Sequence, residues 1–343
     1  MSRGAGVPLS RILIGDVRAR LKELSDAVVD TVITSPPYWA MRDYGHGQQI
    51  GAEATVEAWA EEIAGVAAEL ARVLTPTGSL WLNLGDGYSR HSREGTEKKG
   101  LLLGPERVAA KLIRDGWLLR NKVIWAKANP MPFSGTDRLT TTHEYLYFFT
   151  RQPRYNFNLD AVREPASIST HGGRSSRSSY PPRQAVPTLG GGNSPRIDLN
   201  QGLAEMKASG RESHPLGKNP GDVWIIPTAS YHGAHFATFP VELVRRPLLS
   251  TCPERVCVAC GRPWQRAPQE IDGRKLAVGP LRPFCGHANW RLGRVLDPFM
   301  GSGTVAVTAE TYGRDWIGIE LNPEYAELAE KRLAKWRGKV SVR

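Results

Sequence analysis

Long apolar runs are missing from this chain of 343 residues. None approaches the ~20 residues that cross a bilayer, and the N-terminus has no signal-peptide core, so a soluble, cytoplasmic protein with no membrane partner is expected. Cysteine is scarce. Four residues are too few to staple a chain of this length, and their clustering points to a metal rather than to disulfides. Acidic residues fall short of basic ones, 34 against 45, which leaves a formal charge of +11 and a pI of 9.6. Such a surface draws polyanions, of which nucleic acid is the commonest. The length suits one large domain carrying insertions.

What is present alternates strand-like and helix-like segments. Residues 11–15, Arg-Ile-Leu-Ile-Gly, read as a buried strand with Asp16 at its carboxyl end, the edge where ligands sit in an open α/β sheet. A helix N-cap is the commoner use of such an aspartate. Residues 17–25 read as a helix, and residues 28–34 as a strand that ends abruptly in Ser35-Pro36-Pro37-Tyr38-Trp39, because proline has no N–H for a sheet ladder. Each proline holds φ near one value, so the carbonyls of Ser35 and Pro36 point in set directions beside a hydroxyl and an aromatic ring. A rim of acceptors next to a flat ring suits the exocyclic amine of a nucleobase, although an ordinary strand-ending turn also accounts for the prolines.

Trp39 to Gly51 lacks periodicity and reads as a loop at the mouth of that site. Between Ala52 and Leu74 the residues Val56, Trp59, Ile63, Val66, Leu70 and Val73 recur at three- and four-residue steps, which predicts an amphipathic helix whose stripe is core. Ser79 to Leu84, Leu118 to Ala126 and Glu144 to Thr150 read as strands, and Pro105 to Arg114 as a helix. This alternation implies an α/β fold with a mainly parallel, doubly wound sheet. Residues 151–220 break it: Gly, Ser, Pro and Arg dominate, with eight Arg and two Lys against five acidic residues. Arginines spread through a polar segment suit phosphate contacts and guanine edges, and an unstructured insertion is the plainer reading.

Cys257-Val258-Ala259-Cys260-Gly261 is a tight knuckle, and 24 residues separate its Cys260 from Cys285-Gly286-His287. The set Cys257, Cys260, Cys285 and His287 approximates a zinc ribbon, with Cys252 as a substitute for His287. Any such zinc would be structural. Arg294 to Asp297 reads as a strand ending in Pro298-Phe299-Met300-Gly301-Ser302-Gly303-Thr304, a glycine-bearing turn ahead of a helix from Val305 to Tyr312. Glycines let a ligand approach the backbone, and the helix N-terminus favours a carboxylate. The strand Trp316 to Ile319 then ends in Glu320, which suits ribose hydroxyls, and a last helix spans 323–336.

Ser35-Pro36-Pro37-Tyr38 resembles the catalytic motif of the DNA amino-methyltransferases. These enzymes transfer a methyl group from S-adenosylmethionine to the N4 of cytosine or the N6 of adenine. The resemblance extends through Asn121 to Lys127, Asn129 to Pro132, Asp137-Arg138, Thr142 to Glu144 and Asn219 to Trp224 to the Asp297–Thr304 turn, in the order of the permuted β group. It implies a Rossmann-like class I methyltransferase fold. Its sections are a catalytic half at 9–154, a target-recognition insertion at 155–218, a return to the methyltransferase domain at 219–251, a zinc-ribbon-like insertion at 252–290 and a cofactor-binding half at 291–343.

By the same resemblance Ser35, Pro36, Pro37 and Tyr38 are catalytic. Asp16 contacts the cofactor's adenine, His235, Thr238 and Phe239 close over its methionine end, and Asp297, Phe299, Gly301, Gly303, Thr304 and Glu320 complete the cofactor site. Double-stranded DNA is the implied partner, and a cognate restriction endonuclease and a homodimer stay open. Serine in the motif favours cytosine N4 over the alternative, adenine N6. An RNA methyltransferase and a non-catalytic zinc-containing DNA-binding protein are the rival readings. The absence of a Pro-Cys dipeptide leaves a C5-cytosine mechanism without a nucleophile.

Overall fold

The computed structural model describes residues 10–41, 47, 49–165, 214–229, 239–271 and 273–340. The chain divides into two units, Arg163–Pro220 and the remainder. In the smaller unit Glu164 and Lys218 exchange backbone hydrogen bonds of 3.0 and 2.8 Å.

The larger unit is built on an eight-stranded sheet. Its strands are β1 (Arg11–Ile14), β2 (Val29–Thr34), β3 (Leu74–Leu84), β4 (Leu118–Lys127), β5 (His143–Thr150), β6 (Val223–Ile226), β13 (Arg294–Asp297) and β14 (Asp315–Glu320). They lie in the order β1-β14-β13-β2-β3-β5-β4-β6. Every neighbouring pair is parallel except the two that β5 makes, so β5 alone runs against the rest.

Both faces of the central strands β2, β13 and β14 are covered, which is why these strands are buried along nearly their whole length. Side chains alternate across the pleat: Val32, Leu80, Leu82, Tyr147 and Phe149 enter one core, while Ile33, Trp81, Leu146 and Phe148 enter the other. Each large apolar side chain so buried contributes about 1.5–3 kcal/mol. The first face is packed by α1 (Val17–Lys22), α2 (Val56–Val73) and α3 (Gly104–Arg114). The second is packed by α4 (Val241–Thr251), α5 (Thr304–Thr311) and α6 (Pro323–Val340). Helix α2 starts where the Thr55 hydroxyl caps Ala58 N at 3.1 Å, and buries the predicted stripe from Val56 to Val73.

Several boundaries differ from the sequence reading, among them the end of helix α1, at Lys22 rather than residue 25. Strand β3 begins at Leu74 rather than Ser79, because Leu74 already pairs with Val29 before a register shift. Helix α6 runs to Val340, one turn past the expected end.

Between α4 and β13 lie six short strands: β7 (Arg255–Cys257), β8 (Gln265–Arg266), β9 (Gln269–Ile271), β10 (Arg274–Leu276), β11 (Leu281–Arg282) and β12 (Trp290–Leu292). They pair as β7–β12, β8–β11 and β9–β10. Gly293 joins β12 directly to the amino end of β13. Register places Ile14 beside Glu320, Asp297 beside Gly318, and Thr34 beside Leu82, so the carboxyl ends of five adjacent strands share one edge.

Candidate active site

A cavity of about 490 Å³ opens at that edge. Asp16, Ser35, Pro36, Pro37, Tyr38, Phe239, Phe299, Gly301, Thr304 and Glu320 line it, so ten of the sequence-derived site residues meet at one place. His235 and Thr238 lie outside the described residues.

One side of the cavity is the turn after β13. Asp297 is buried, and its Oδ1 accepts from the Thr34 hydroxyl at 2.7 Å and from Phe299 N at 3.1 Å. Its Oδ2 has no hydrogen-bond partner. Burial pushes the carboxyl up to about 7, against the pull of those two donors. Gly301 and Gly303 hold φ of +49° and +77°, which side chains rarely adopt, and a Cβ on Gly303 would press on Ala329 and Met300 at 3.1 and 3.2 Å.

The turn is braced from two directions. Glu320 accepts from Gly301 N at 2.7 Å and from Asn322 N at 2.9 Å, while Arg332 of α6 donates to Ser302 O and Oγ and to Thr304 Oγ1. Across the turn, Asp16 is both things that its sequence context allowed: it lines the cavity and caps α1 through Arg18 N. The Arg18 guanidinium grips both its oxygens and holds its carboxyl below the usual carboxylate range.

The other side is the turn after β2. Trp59 of α2 donates its indole N–H to Pro37 O at 2.9 Å, and Ala40 N bonds Gly51 O at 2.8 Å, so the motif is pinned from outside. Tyr38 points its hydroxyl inward: it lies 2.7 Å from Glu144 Oε2, 3.0 Å from Asn83 Oδ1 and 3.2 Å from Ser35 Oγ. Glu144 also pairs with Lys127 at 2.7 Å and accepts from Asn83 Nδ2 at 3.2 Å. A Cβ on Gly85 would sit 2.8 Å from the Tyr38 ring, so only glycine lets the ring lie over that turn. Asn83, Lys127 and Glu144 carry no site assignment from sequence. Lys127 and Glu144 do stand in segments that resemble the family, and polarity out of place marks two of the three: Asn83 is fully buried near the end of an apolar strand, and Glu144 is the second residue of another.

The DNA methylase family model for N6- and N4-modifying enzymes matches residues 29–331. The chain belongs to this DNA methylase family. It is 31% identical to the Type II methyltransferase M.SmaI of Serratia marcescens, over 95% of this chain and 91% of that protein. It is 33% identical to the Type II methyltransferase M.XycI of Xanthomonas campestris pv. cyanopsidis, over 94% of this chain and 87% of that protein. Among solved structures, the PvuII DNA methyltransferase (cytosine-N4-specific) aligns with a TM-score of 0.52 at 17% identity, covering 96% of this chain and 91% of that one. A DNA modification methylase of Thermus thermophilus, TTHA0409, aligns with a TM-score of 0.51 at 22% identity, covering 95% of each chain. These likenesses show the class I methyltransferase fold. The methylase acts on DNA, and the resemblance implies S-adenosylmethionine as its methyl donor.

The cavity suits that donor. The Asp16 and Glu320 carboxylates, the space on Gly301 where a Cβ would meet nothing within 4 Å, and the volume beside Phe239 and Phe299 together offer polar, close-backbone and apolar contacts to one elongated molecule. Elsewhere, the ligand atoms of Cys257, Cys260, Cys285 and His287 lie within 4.8 Å of one another, and Cys252 is not among them. Cys252 is buried beside Arg314 instead, where loss of solvent pushes its thiol up to about 12. Among the described residues, no helix is long and apolar enough to cross a membrane.

Proposed function

We propose that this methylase modifies the N4 amine of cytosine in double-stranded DNA. The observation that carries the reading is the Ser35 hydroxyl standing 3.2 Å from the Tyr38 hydroxyl at the cavity wall, in the position where a carboxylate would be the alternative. A target base extruded from the duplex stacks on the Tyr38 ring and donates its amine hydrogens to Ser35 Oγ and to the Pro36 carbonyl. Those acceptors hold the amine with its nitrogen turned toward the cofactor half of the cavity. S-adenosylmethionine supplies an electrophilic sulfonium methyl when bound.

Asp297, Phe299, Gly301, Gly303 and Thr304 would cradle this cofactor, with Glu320 toward its ribose, Asp16 toward its adenine, and Phe239, His235 and Thr238 toward its methionine end. The amine gains a methyl and gives up one proton. Ser35 Oγ, Tyr38 Oη and Glu144 Oε2 form a chain of 3.2 and 2.7 Å along which that proton leaves. The arginine-rich segment 155–218 supplies the DNA reading, and most of it lies outside the described residues. A cognate restriction endonuclease, and pairing of two copies of the chain, follow from the resemblance alone.

Digesting methylated DNA to nucleosides and identifying the product by mass spectrometry tests the base assignment. N4-methylcytosine is the expected product. N6-methyladenine as the sole product would overturn the cytosine reading and leave the DNA methylase itself untouched.

A further inference from the structure

We propose that Cys257, Cys260, Cys285 and His287 bind one zinc ion, and that this ion supplies the folding energy of the β7–β12 lobe at the end of the sheet remote from methyl transfer. The geometry is close to complete. A tetrahedral site with ~2.3 Å Zn–S bonds spaces its ligand atoms about 3.8 Å apart. Here all four lie within 4.8 Å of one another, and Cys257 Sγ is 3.5 Å from His287 Nδ1. The two halves of the set are built alike: Gly261 and Gly286, each directly after a cysteine, hold φ of +68° and +60° with open space where a Cβ would go. Gly261 N bonds Cys257 O at 3.0 Å and closes the first knuckle. Pairing of β7 with β12 sets Cys257 opposite Trp290, and Val258 N bonds Asn289 O at 3.2 Å, which brings the second knuckle to the first.

A second observation stands apart from the ligand geometry. Between residues 258 and 289 the only buried apolar side chain among the described residues is Leu276. Three two-stranded ribbons without a core of their own do not pay their ordering entropy from burial, and a structural metal is the usual remedy at this size. The four cysteines carry no disulfide that would serve instead. Three soft thiolates with one imidazole favour zinc among common divalent ions.

What the ion steadies is visible at the stem. Arg291 of β12 grips Asp30 of β2 through two bonds of 2.6 and 3.0 Å, and Asp30 also accepts from Arg294 N at 2.8 Å. Arg255 lies over the Trp290 and Trp264 rings at 4.1 and 5.2 Å. These contacts sit at the amino ends of β2 and β13, whereas Ser35 and Asp297 lie at the carboxyl ends. The lobe therefore braces the strands that carry the chemistry without touching it.

The test uses the full chain, made in zinc-supplemented medium and purified without chelator. Elemental analysis is expected to find one zinc per chain in the wild type and in Cys252→Ser, and a loss of at least about tenfold in Cys285→Ser and His287→Ala, as four-ligand closure requires. Should Cys285→Ser fail to fold, His287→Cys decides: it retains one zinc, and after exchange with Co²⁺ its thiolate-to-cobalt charge-transfer absorption exceeds that of the wild type. Zinc-free wild type, metal lost from Cys252→Ser, or no thiolate-to-cobalt absorption would each overturn the assignment.

Discussion

Replacing Tyr38 stepwise separates its ring from its hydroxyl. In Tyr38→Phe the ring stays, but Glu144 Oε2 loses the donor at 2.7 Å while keeping Asn83 Nδ2 at 3.2 Å. A hydrogen bond to a charged group contributes about 1.5–3 kcal/mol. The lost bond orients the stacking face, so part of that figure enters the barrier, and single-turnover transfer should slow by about tenfold, reaching about a hundredfold if all of it does. In Tyr38→Ala the platform goes too. Stacking of a base on an aromatic ring is worth about 1–3 kcal/mol, so ring and hydroxyl together correspond to roughly 10²- to 10⁴-fold. Cofactor affinity should stay within about threefold in both, because the bonds that Tyr38 makes to Ser35, Asn83 and Glu144 belong to the opposite wall of the cavity from the Asp297–Thr304 turn. The assay is transfer of labelled methyl from S-adenosylmethionine to unmethylated genomic DNA in a single turnover. If Tyr38→Phe were as slow as Tyr38→Ala, the ring would not be the platform. If Tyr38→Ala transferred at the wild-type rate, the proposed base site would be wrong altogether.

Glu320→Ala should weaken S-adenosylmethionine binding by about 1–3 kcal/mol, because it removes a charged acceptor that also holds Gly301 N and Asn322 N; unchanged affinity by calorimetry would take Glu320 out of the site. Asp297 predicts a pH dependence. Its folded-state value is raised from 3.8 to about 7, so between those values the folded protein holds a proton that the unfolded chain releases, and stability falls as pH rises through that window. Asp297→Asn cannot ionise and should flatten the fall. Melting temperatures of cofactor-free protein that decline equally in both would show that the carboxyl is not perturbed as burial implies.

The parallel part of the fold was legible because strands covered on both faces are apolar along their whole length and stop at residues that cannot continue a sheet or that cap a turn. Thr34-Ser35-Pro36 and Asp297-Pro298 are such stops, and each marks a wall of the cavity. The reversal of β5 was not legible, since an apolar run carries no sign of its direction. That reversal decides what the sequence reading missed. Antiparallel register sets Asn83 opposite Leu146 and swings Glu144, 61 residues from Asn83, into bonding distance of it. A carboxylate at the beginning of a strand thus reaches a site otherwise made from strand ends. The knuckle cysteines were legible by spacing, but the choice between His287 and Cys252 needed the β7–β12 pairing.

The strand order also sets when the enzyme exists. Thr34 and Asp297 share a hydrogen bond across 263 positions of chain, and β1, synthesised first, has β14 as its sheet partner. At about 5–20 residues per second on the ribosome, about 13 to 53 s pass between these two residues. Throughout that interval the emerging chain holds the turn after β2 but neither the turn after β13 nor the two strands, β13 and β14, that fill the gap between β1 and β2. A nascent chain in that interval therefore lacks half of the cavity wall, and it carries the bare edge of β2, six buried residues long, as a ready template for pairing with another chain.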